Sequence, residues 1–225
     1  GDSPWTGLPT LDVKRVSQAS ATQRAGRAGR TAPGRVIRLY TAEDFHRRPA
    51  SDPPEIVRRE LSHLALMLRA LIPRATMPPT PSVAGPGLVW LDPPPAAAWD
   101  AANALLDRLG VMPHMAEFPL PPRLARLVLD AARRGVASAG CAVAAVLSTG
   151  ERGRRGSEDL LSLVDAEWRP ETKRVYEQLR SMLRRFPNCG DRKSAADDAI
   201  VHAILAAFPD RVARRRQRAI PPALP

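Results

Sequence analysis

Gln23, Arg27 and Arg30 are the residues whose types and spacing could do chemistry together. They lie in the octapeptide Gln23-Arg24-Ala25-Gly26-Arg27-Ala28-Gly29-Arg30. On an α-helix they recur at i, i+4 and i+7, one above another on one face. Guanidinium forks match phosphate oxygens, so two stacked arginines with a clear path suit a multiply charged anion such as a triphosphate. Gly26 joins that face and Gly29 flanks it, so no side chain blocks a ligand. Each glycine costs the helix about 1 kcal/mol relative to alanine, which suggests they are kept for access. Arg24 projects elsewhere and is expected to be structural or paired to an acidic neighbour. An Arg-rich solvated helix face is the bland alternative, and the octapeptide as a whole weighs against it.

The elements expected to hold this segment are short. Residues 11–16 alternate apolar and polar as a half-buried strand does. Ser17 offers an N-cap for a helix running towards Arg30. Pro33-Gly34 breaks that helix, and residues 35–40 alternate again. This strand-helix-strand order fits the edge of an α/β domain. From Pro53 onward the pattern is helical only. Val57, Leu61, Leu64, Leu68 and Leu71 form one apolar stripe, and a proline-rich connector follows over 73–95. A helix from about Pro95 to Leu109 carries Trp99, Ala102, Leu106 and Leu109 on one face and ends at Gly110. A second helical group starts at Pro121-Pro122. Its stripes are Leu124/Leu127/Val128/Ala131, a small-residue helix over 139–147, Val175/Leu179/Met182/Phe186 and Val201/Ile204/Leu205/Phe208.

Composition narrows the function classes. Of 225 residues, 34 are Lys or Arg against 23 Asp or Glu, a net charge of +11, which marks a polyanion partner such as nucleic acid or an anionic surface. With lysine only at positions 14, 173 and 193, a GC-rich genome is a competing source of the arginine excess. No stretch approaches a membrane span, and no signal-peptide layout opens the chain, so it reads as cytoplasmic. Cys141 and Cys189 lack metal-ligand spacing and read as reduced, buried thiols. His46, His63, His114 and His202 lack paired spacing or acidic companions, so no metal site is expected. Ser148 and Ser157 lack a nucleophile-elbow context. Lys173, Arg180 and Arg184 stand at i, i+7 and i+11, opposite the apolar face of their helix. They read either as solvated surface or as phosphate contacts, and the run from Arg211 to Arg218 either as solvated surface or as a contact to nucleic acid or a C-terminal domain.

The segment Ser17-Gln18-Ala19-Ser20-Ala21-Thr22 followed by Gln23 to Arg30 resembles motif VI of the DEAH-box helicases, in the form found in bacterial HrpB-type enzymes. The resemblance continues through Gly34 to Tyr40 (the next strand), Glu55 to Leu61 (the opening of a winged-helix domain) and Trp90 to Pro95 (a turn). Phe118 to Arg126 resembles the start of a ratchet domain, and Ala207 to Arg215 the lead into a C-terminal region. It covers essentially the whole chain in order.

That resemblance implies a mainly α fold with a small α/β remnant. Residues 1–50 would be the C-terminal part of a second RecA-like domain, and 51–118 a winged-helix domain. Residues 119–210 would be a helical ratchet domain, and 211–225 the start of a C-terminal region. Only five residues separate Gly110 from Ala116, so the wing is expected to be deleted or reduced to a turn. Arg27 and Arg30 would be arginine fingers reaching the γ-phosphate of ATP, with Gln23 contacting that phosphate or positioning the attacking water. Lys173, Arg180 and Arg184 would border a channel for single-stranded RNA or DNA. The P-loop lysine and the acidic tetrad that holds Mg2+ are absent, as are the nucleic-acid-gripping motifs that precede motif VI. ATP with Mg2+ would therefore be bound mainly by N-terminal helicase domains missing from this sequence, and the chain alone is expected to be inactive. A non-catalytic nucleic-acid-binding module and an inactive truncated product are the alternatives.

Overall fold

Ser17 starts the first helix as its side chain implies. With its backbone extended, its hydroxyl accepts the amide of Ser20 at 3.1 Å, opening α1 (Gln18–Gly26). The structure, a computed structural model, describes residues 13–71, 90–151, 160–187, 189–192 and 198–213. The connector over 72–89, most of the glycine- and arginine-rich run after Glu151, and the basic run from Arg214 lie outside the described residues. The further helices are α2 (Ala42–His46), α3 (Ser62–Leu71), α4 (Ala96–Leu109), α5 (Pro122–Arg133) and α6 (Ala137–Thr149). α7 (Leu160–Val164), α8 (Pro170–Leu183) and α9 (Ala199–Ala207) complete the order, with 3-10 turns at Arg27–Gly29, Glu55–Val57 and Met115–Glu117. The chain is mainly helical, and the described residues contain no strand.

The alternating segments before α1 and after Gly34 therefore form no strand among the described residues. A strand exists only as a hydrogen-bonded pair, and neither segment has a ladder partner among the described residues. Their apolar side chains stay in solvent: Val13, Val36, Ile37 and Leu39 are all exposed.

The chain divides into two units, Gly1–Leu61 with Pro78–Trp99, and Ser62–Met77 with Asp100–Pro225. In the first, Trp90 meets Trp99 edge-on at 5.8 Å. In the second, α5 is the centre. Pro122 sits at its first turn, where a missing amide costs nothing. Leu124, Ala125, Leu127, Val128, Leu129, Ala131 and Ala132 are all buried, so most of the helix surface packs against neighbours, and Arg126 and Arg133 mark the side left open. α5 packs on α6 and α9, and α6 on α7 and α8. α5 and α6 approach closely because Gly140 has no side chain: a Cβ there would fall 2.3 Å from the Cβ of Ala131.

Two clasps lock the bundle. Glu151 accepts from the Thr172 hydroxyl at 2.6 Å and from the Arg169 amide and Nε, joining the end of α6 to the start of α8. The Thr172 hydroxyl and these Arg169 contacts hold the Glu151 carboxyl below the ordinary range, against some desolvation. Asp191 accepts from the amide and hydroxyl of Ser138 in the first turn of α6 and from Arg180 of α8.

Arg123 forms a fork on Asp210 at 2.7 and 2.8 Å and also donates to the Ala207 carbonyl, fixing the end of α9 to α5. Hydrogen bonding from Arg123 lowers the Asp210 carboxyl from 3.8 to about 2. A depressed carboxyl stabilises the fold fully above its unfolded value, and that contribution is lost as pH falls through the folded value. Asp210→Asn is therefore expected to cost about 1.5–3 kcal/mol at neutral pH. The difference from wild type should close between about pH 4 and pH 2, as followed by denaturant unfolding across that range.

Where helices form matches the apolar pattern better than which face they bury. α4 buries Trp99, Ala102, Leu106 and Leu109, as the stripe implies. The stripe begun at Val57 does not carry through, because Pro54 opens a 3-10 turn and the helical run restarts only at Ser62. α3 buries Ser62, Ala65 and Leu66, next to buried Leu61, and leaves Leu71 exposed. α9 presents Ala199, Ala203 and Ala207 inward and leaves Val201 and Leu205 exposed. On α8, Leu179 and Leu183 are fully buried, whereas Val175 and Met182, and Phe186 just past its end, are only half-buried. Between Gly110 and Phe118 the chain forms a turn with His114 in the left-handed region (φ 70°), followed by a 3-10 turn.

Candidate phosphate-binding helix end

The octapeptide occupies the end of α1 and the 3-10 turn after it. Gln23 lies in the α-helix, Arg27 opens the tighter turn, and Arg30 closes it with φ −77° and ψ −38°. The backbone thus stays helical to Arg30 but changes pitch after Gly26. In a 3-10 turn residues three apart eclipse one another, so Arg30 lines up over Arg27 more closely than on a continuous α-helix. The two Cα atoms stand about 6 Å apart along the axis, from a rise of about 2 Å per residue. Gln23, Arg24, Arg27 and Arg30 are all exposed, and no described acidic group pairs with any of the three arginines. The acidic neighbour expected for Arg24 is thus not found among the described residues.

Gly26 and Gly29 have open space where a side chain would stand: nothing lies within 4 Å of an added Cβ at either. Gly34 is the opposite case. Its Cβ would fall 1.9 Å from the carbonyl oxygen of Ala28, so the loop after the motif closes back onto the 3-10 turn. Substitution at Gly34 would displace the turn that carries the arginines.

The fixed end of α1 is its N-terminus. The amides of Gln18 and Ala19 donate to the carbonyls of Pro49 and Ala50 at 2.9 Å. The Gln18 side chain donates to the carbonyls of His46, the last residue of α2, and of Arg48 just beyond it. The Ser17 hydroxyl donates to Asp52 at 3.0 Å. Arg48 forms an ion pair with Asp44 at 2.6 Å and lies 3.9 Å over the Tyr40 ring. Asp44 also pairs with Arg15, and the hydrogen bond from Arg48 holds its carboxyl below the ordinary range. The α1 helix is thus clamped at one end and presents its arginines at the other. Sequence reasoning missed this clamp. Thr41-Ala-Glu-Asp was its legible signal, since Thr41 caps α2 through the Asp44 amide.

Gly26 adopts ordinary helical angles (φ −63°, ψ −14°). Gly26→Ala is therefore expected to leave stability unchanged or raise it by about 0.4–1 kcal/mol, while lowering phosphate-dependent activity through loss of access. Thermal unfolding of the chain, paired with ATPase assays of the intact helicase, checks both halves.

The second group of candidate residues is divided by its contacts. Lys173 and Arg184 are exposed and meet no described acidic group. Arg180 instead pairs with Asp191 at 3.2 Å and is half-buried. Asp191 is drawn below the ordinary carboxylate range by Ser138 and Arg180, with desolvation working against them. Both thiols are free: Cys141 is buried and Cys189 half-buried.

No family model matches the chain. Over 95% of its length it is 34% identical to ATP-dependent RNA helicase HrpB of Escherichia coli (strain K12), of which it spans 25%. Over 64% of its length it is 35% identical to the pre-mRNA-splicing factor ATP-dependent RNA helicase prp22 of Schizosaccharomyces pombe and to the human probable ATP-dependent RNA helicase DHX35. Two crystal structures of Escherichia coli HrpB superpose on 96% of the chain with TM-scores of 0.64 and 0.67, at 33% and 35% identity. The chain spans about a quarter of each. A mainly helical chain with an arginine-bearing helix end is thus similar to these helicases in both sequence and fold. Its relatives and structural neighbours belong to the DEAH-box helicase family. The chain is HrpB-like and corresponds to a C-terminal part of its relatives.

Proposed function

We propose that this chain supplies the arginine fingers of an ATP-dependent RNA helicase and a basic helical wall along its single-strand path. The observation that carries the reading is the open end of α1, where Arg27 and Arg30 stand exposed beside two unobstructed glycines. Residues 1–50 act as the end of a second RecA-like domain, 51–118 as a winged helix, 119–210 as the ratchet, and 211–225 as the start of a further region. The protein works in the cytoplasm on single-stranded RNA or DNA.

The residues present fit a γ-phosphate and do not fit Mg2+. Two guanidiniums and an amide face open space, whereas the described residues offer no group of three or more His, Cys, Asp or Glu side chains that could hold a metal ion. The P-loop and the magnesium-holding carboxylates belong to the partner ATP-binding domain. Arg27 and Arg30 donate to oxygens of the phosphoryl group as negative charge spreads over them. Gln23, one helical turn earlier, orients the attacking water by accepting its hydrogen or donating to its oxygen. Such preorganised donors act on charge that develops only in the transition state.

The grip on the strand rests on Lys173 and Arg184, the two cations of their stripe with no described acidic partner. Contacts to phosphates release counterions, so affinity falls steeply with salt and depends little on base identity. Lys173→Glu with Arg184→Glu should weaken binding of all single-stranded sequences alike and flatten the salt slope by about one unit per lost contact. Arg180→Gln, which frees Asp191, should act on stability instead. Fluorescence anisotropy with pyrimidine and mixed oligonucleotides over a salt series separates these. An unchanged slope in the double variant would reduce the stripe to solvated surface.

A further inference from the structure

The second unit contains a cavity of about 360 Å3 that neither the phosphate-binding helix end nor the stripe on α8 uses. Its apolar lining comes from Met112, Leu129, Phe186 and Pro187, its cations from Arg133 and Arg192, and its remaining walls include His114 and Cys189. The volume lies within the range of about 300–1,000 Å3 typical of small-molecule sites.

Three features give it chemical character. The rings of His114 and Phe186 lie 4.4 Å apart at 37°, and Phe186 leans on buried Phe118 at 5.9 Å. This builds a braced aromatic wall whose half-buried outer member lines the cavity. His114 is held there by a left-handed backbone (φ 70°), which costs a non-glycine residue about 1–2 kcal/mol. Arg133 and Arg192 are both exposed, and neither meets an acidic side chain among the described residues. Arg192 is positioned rather than trailing: its amide donates to the Gly135 carbonyl at 2.9 Å, and its side chain lies across Gly135, where a Cβ would meet it at 2.9 Å. No Asp or Glu is among the lining residues, and nearby Glu117 is paired to His114 at 2.5 Å.

We propose that this cavity binds a nucleoside phosphate, its ring against Phe186 and His114 and its phosphate on Arg133 and Arg192. An aromatic wall selects a planar ring, because stacking is worth about 1–3 kcal/mol per base and accepts any base. Two guanidiniums with no acidic partner among the described residues select an anion that offers several oxygens. With Glu117 committed to His114, a cationic ligand finds no counter-charge. The same chemistry is offered by a free mononucleotide and by one nucleotide of a strand. The site is independent of the arginine fingers.

Cys189 makes the test direct. The chain has two cysteines, and Cys141 is fully buried with its thiol pushed up to about 12 by desolvation. Alkylation by iodoacetamide at neutral pH, read by mass spectrometry on the full 225-residue chain, therefore reports Cys189. AMP or UMP at ten times its dissociation constant should slow that reaction roughly tenfold by occupancy. Adenosine and inorganic phosphate at the same concentration should not. Arg133→Gln with Arg192→Gln, and separately Phe186→Leu, should remove the protection while leaving the unliganded alkylation rate and the unfolding midpoint near wild type. Equilibrium dialysis of labelled AMP against the same variants measures the binding without relying on the thiol. Protection by a short oligonucleotide as well would identify a strand as the source, and protection by mononucleotide alone a free ligand. Equal protection by phosphate or adenosine, no protection, or AMP binding undisturbed in the variants would overturn the proposal. No ATP turnover enters the measurement, so its failure leaves the assignment of Arg27 and Arg30 standing.

Discussion

Replacing Arg27 or Arg30 by alanine in the intact helicase is expected to lower kcat by about 10³-fold or more, the range over which arginine fingers act. A loss of that size equals about 4 kcal/mol of transition-state stabilisation. The KM for ATP should change little, because in the proposed reading the nucleotide is held mainly by the partner domain and these side chains act on charge that develops during transfer. The geometry favours near-equal losses. Arg27 and Arg30 lie three residues apart on a 3-10 turn, so both forks address one group, and the double variant should fall little further than either single one. Gln23→Ala should lower kcat less, since a displaced water retains other orientations. Arg27→Lys should not rescue, because an ammonium cannot reproduce a planar fork. Steady-state kinetics over an ATP series separates kcat from KM. A loss confined to KM would assign the arginines to ground-state binding.

The largest expected effect on folding lies at Gly140. A leucine there must push α6 away from Ala131 on α5, since even a Cβ would meet its methyl at 2.3 Å. Both helices carry fully buried residues on the contacting faces, including Leu127, Val128, Val143 and Ala144, so the added volume must displace packed side chains. Overpacking of this kind costs about 3 kcal/mol, which for a domain of this size lowers Tm by roughly 6–12 °C. Circular dichroism on heating measures it. A Gly140→Leu protein with an unchanged midpoint would show that α5 and α6 do not meet as described. Gly26 and Gly140 are thus glycines of opposite kinds, one kept for what approaches from outside and one for what already packs inside.

The octapeptide was legible because its chemistry is local: eight consecutive residues set the spacing of the arginines and the openness between them. The pitch change at Gly26 was not, since nothing in the spacing distinguishes an α-helix from its 3-10 continuation. α4 and α5 were read with the right faces because each alternates large apolar and polar residues at helical intervals. α9 was not: Ala199 to Ala207 is apolar almost all round, so periodicity cannot choose a face, and tight packing on α5 selected the alanines over Val201 and Leu205. The α3 stripe failed because a proline-set turn reset the helical phase between Val57 and Ser62. Arg180 looked equivalent to Lys173 and Arg184 in sequence. Only the fold brings Asp191 beside it, eleven residues on. The clamp of Gln18, Asp44 and Arg48 on α1, and the cavity of Arg133 and Arg192, likewise join residues that no local pattern connects.

The central claim is that Arg27 and Arg30 serve the transition state of phosphoryl transfer. Binding of ADP alone and of ADP with aluminium fluoride, a planar mimic of the phosphoryl group in flight, tests it most directly in the intact helicase. Wild type should bind the mimic at least about 10²-fold more tightly than ADP, as transition-state analogues do. Arg27→Ala and Arg30→Ala should lose that preference while binding ADP as wild type does. Variants that keep the full preference for the mimic would contradict the assignment.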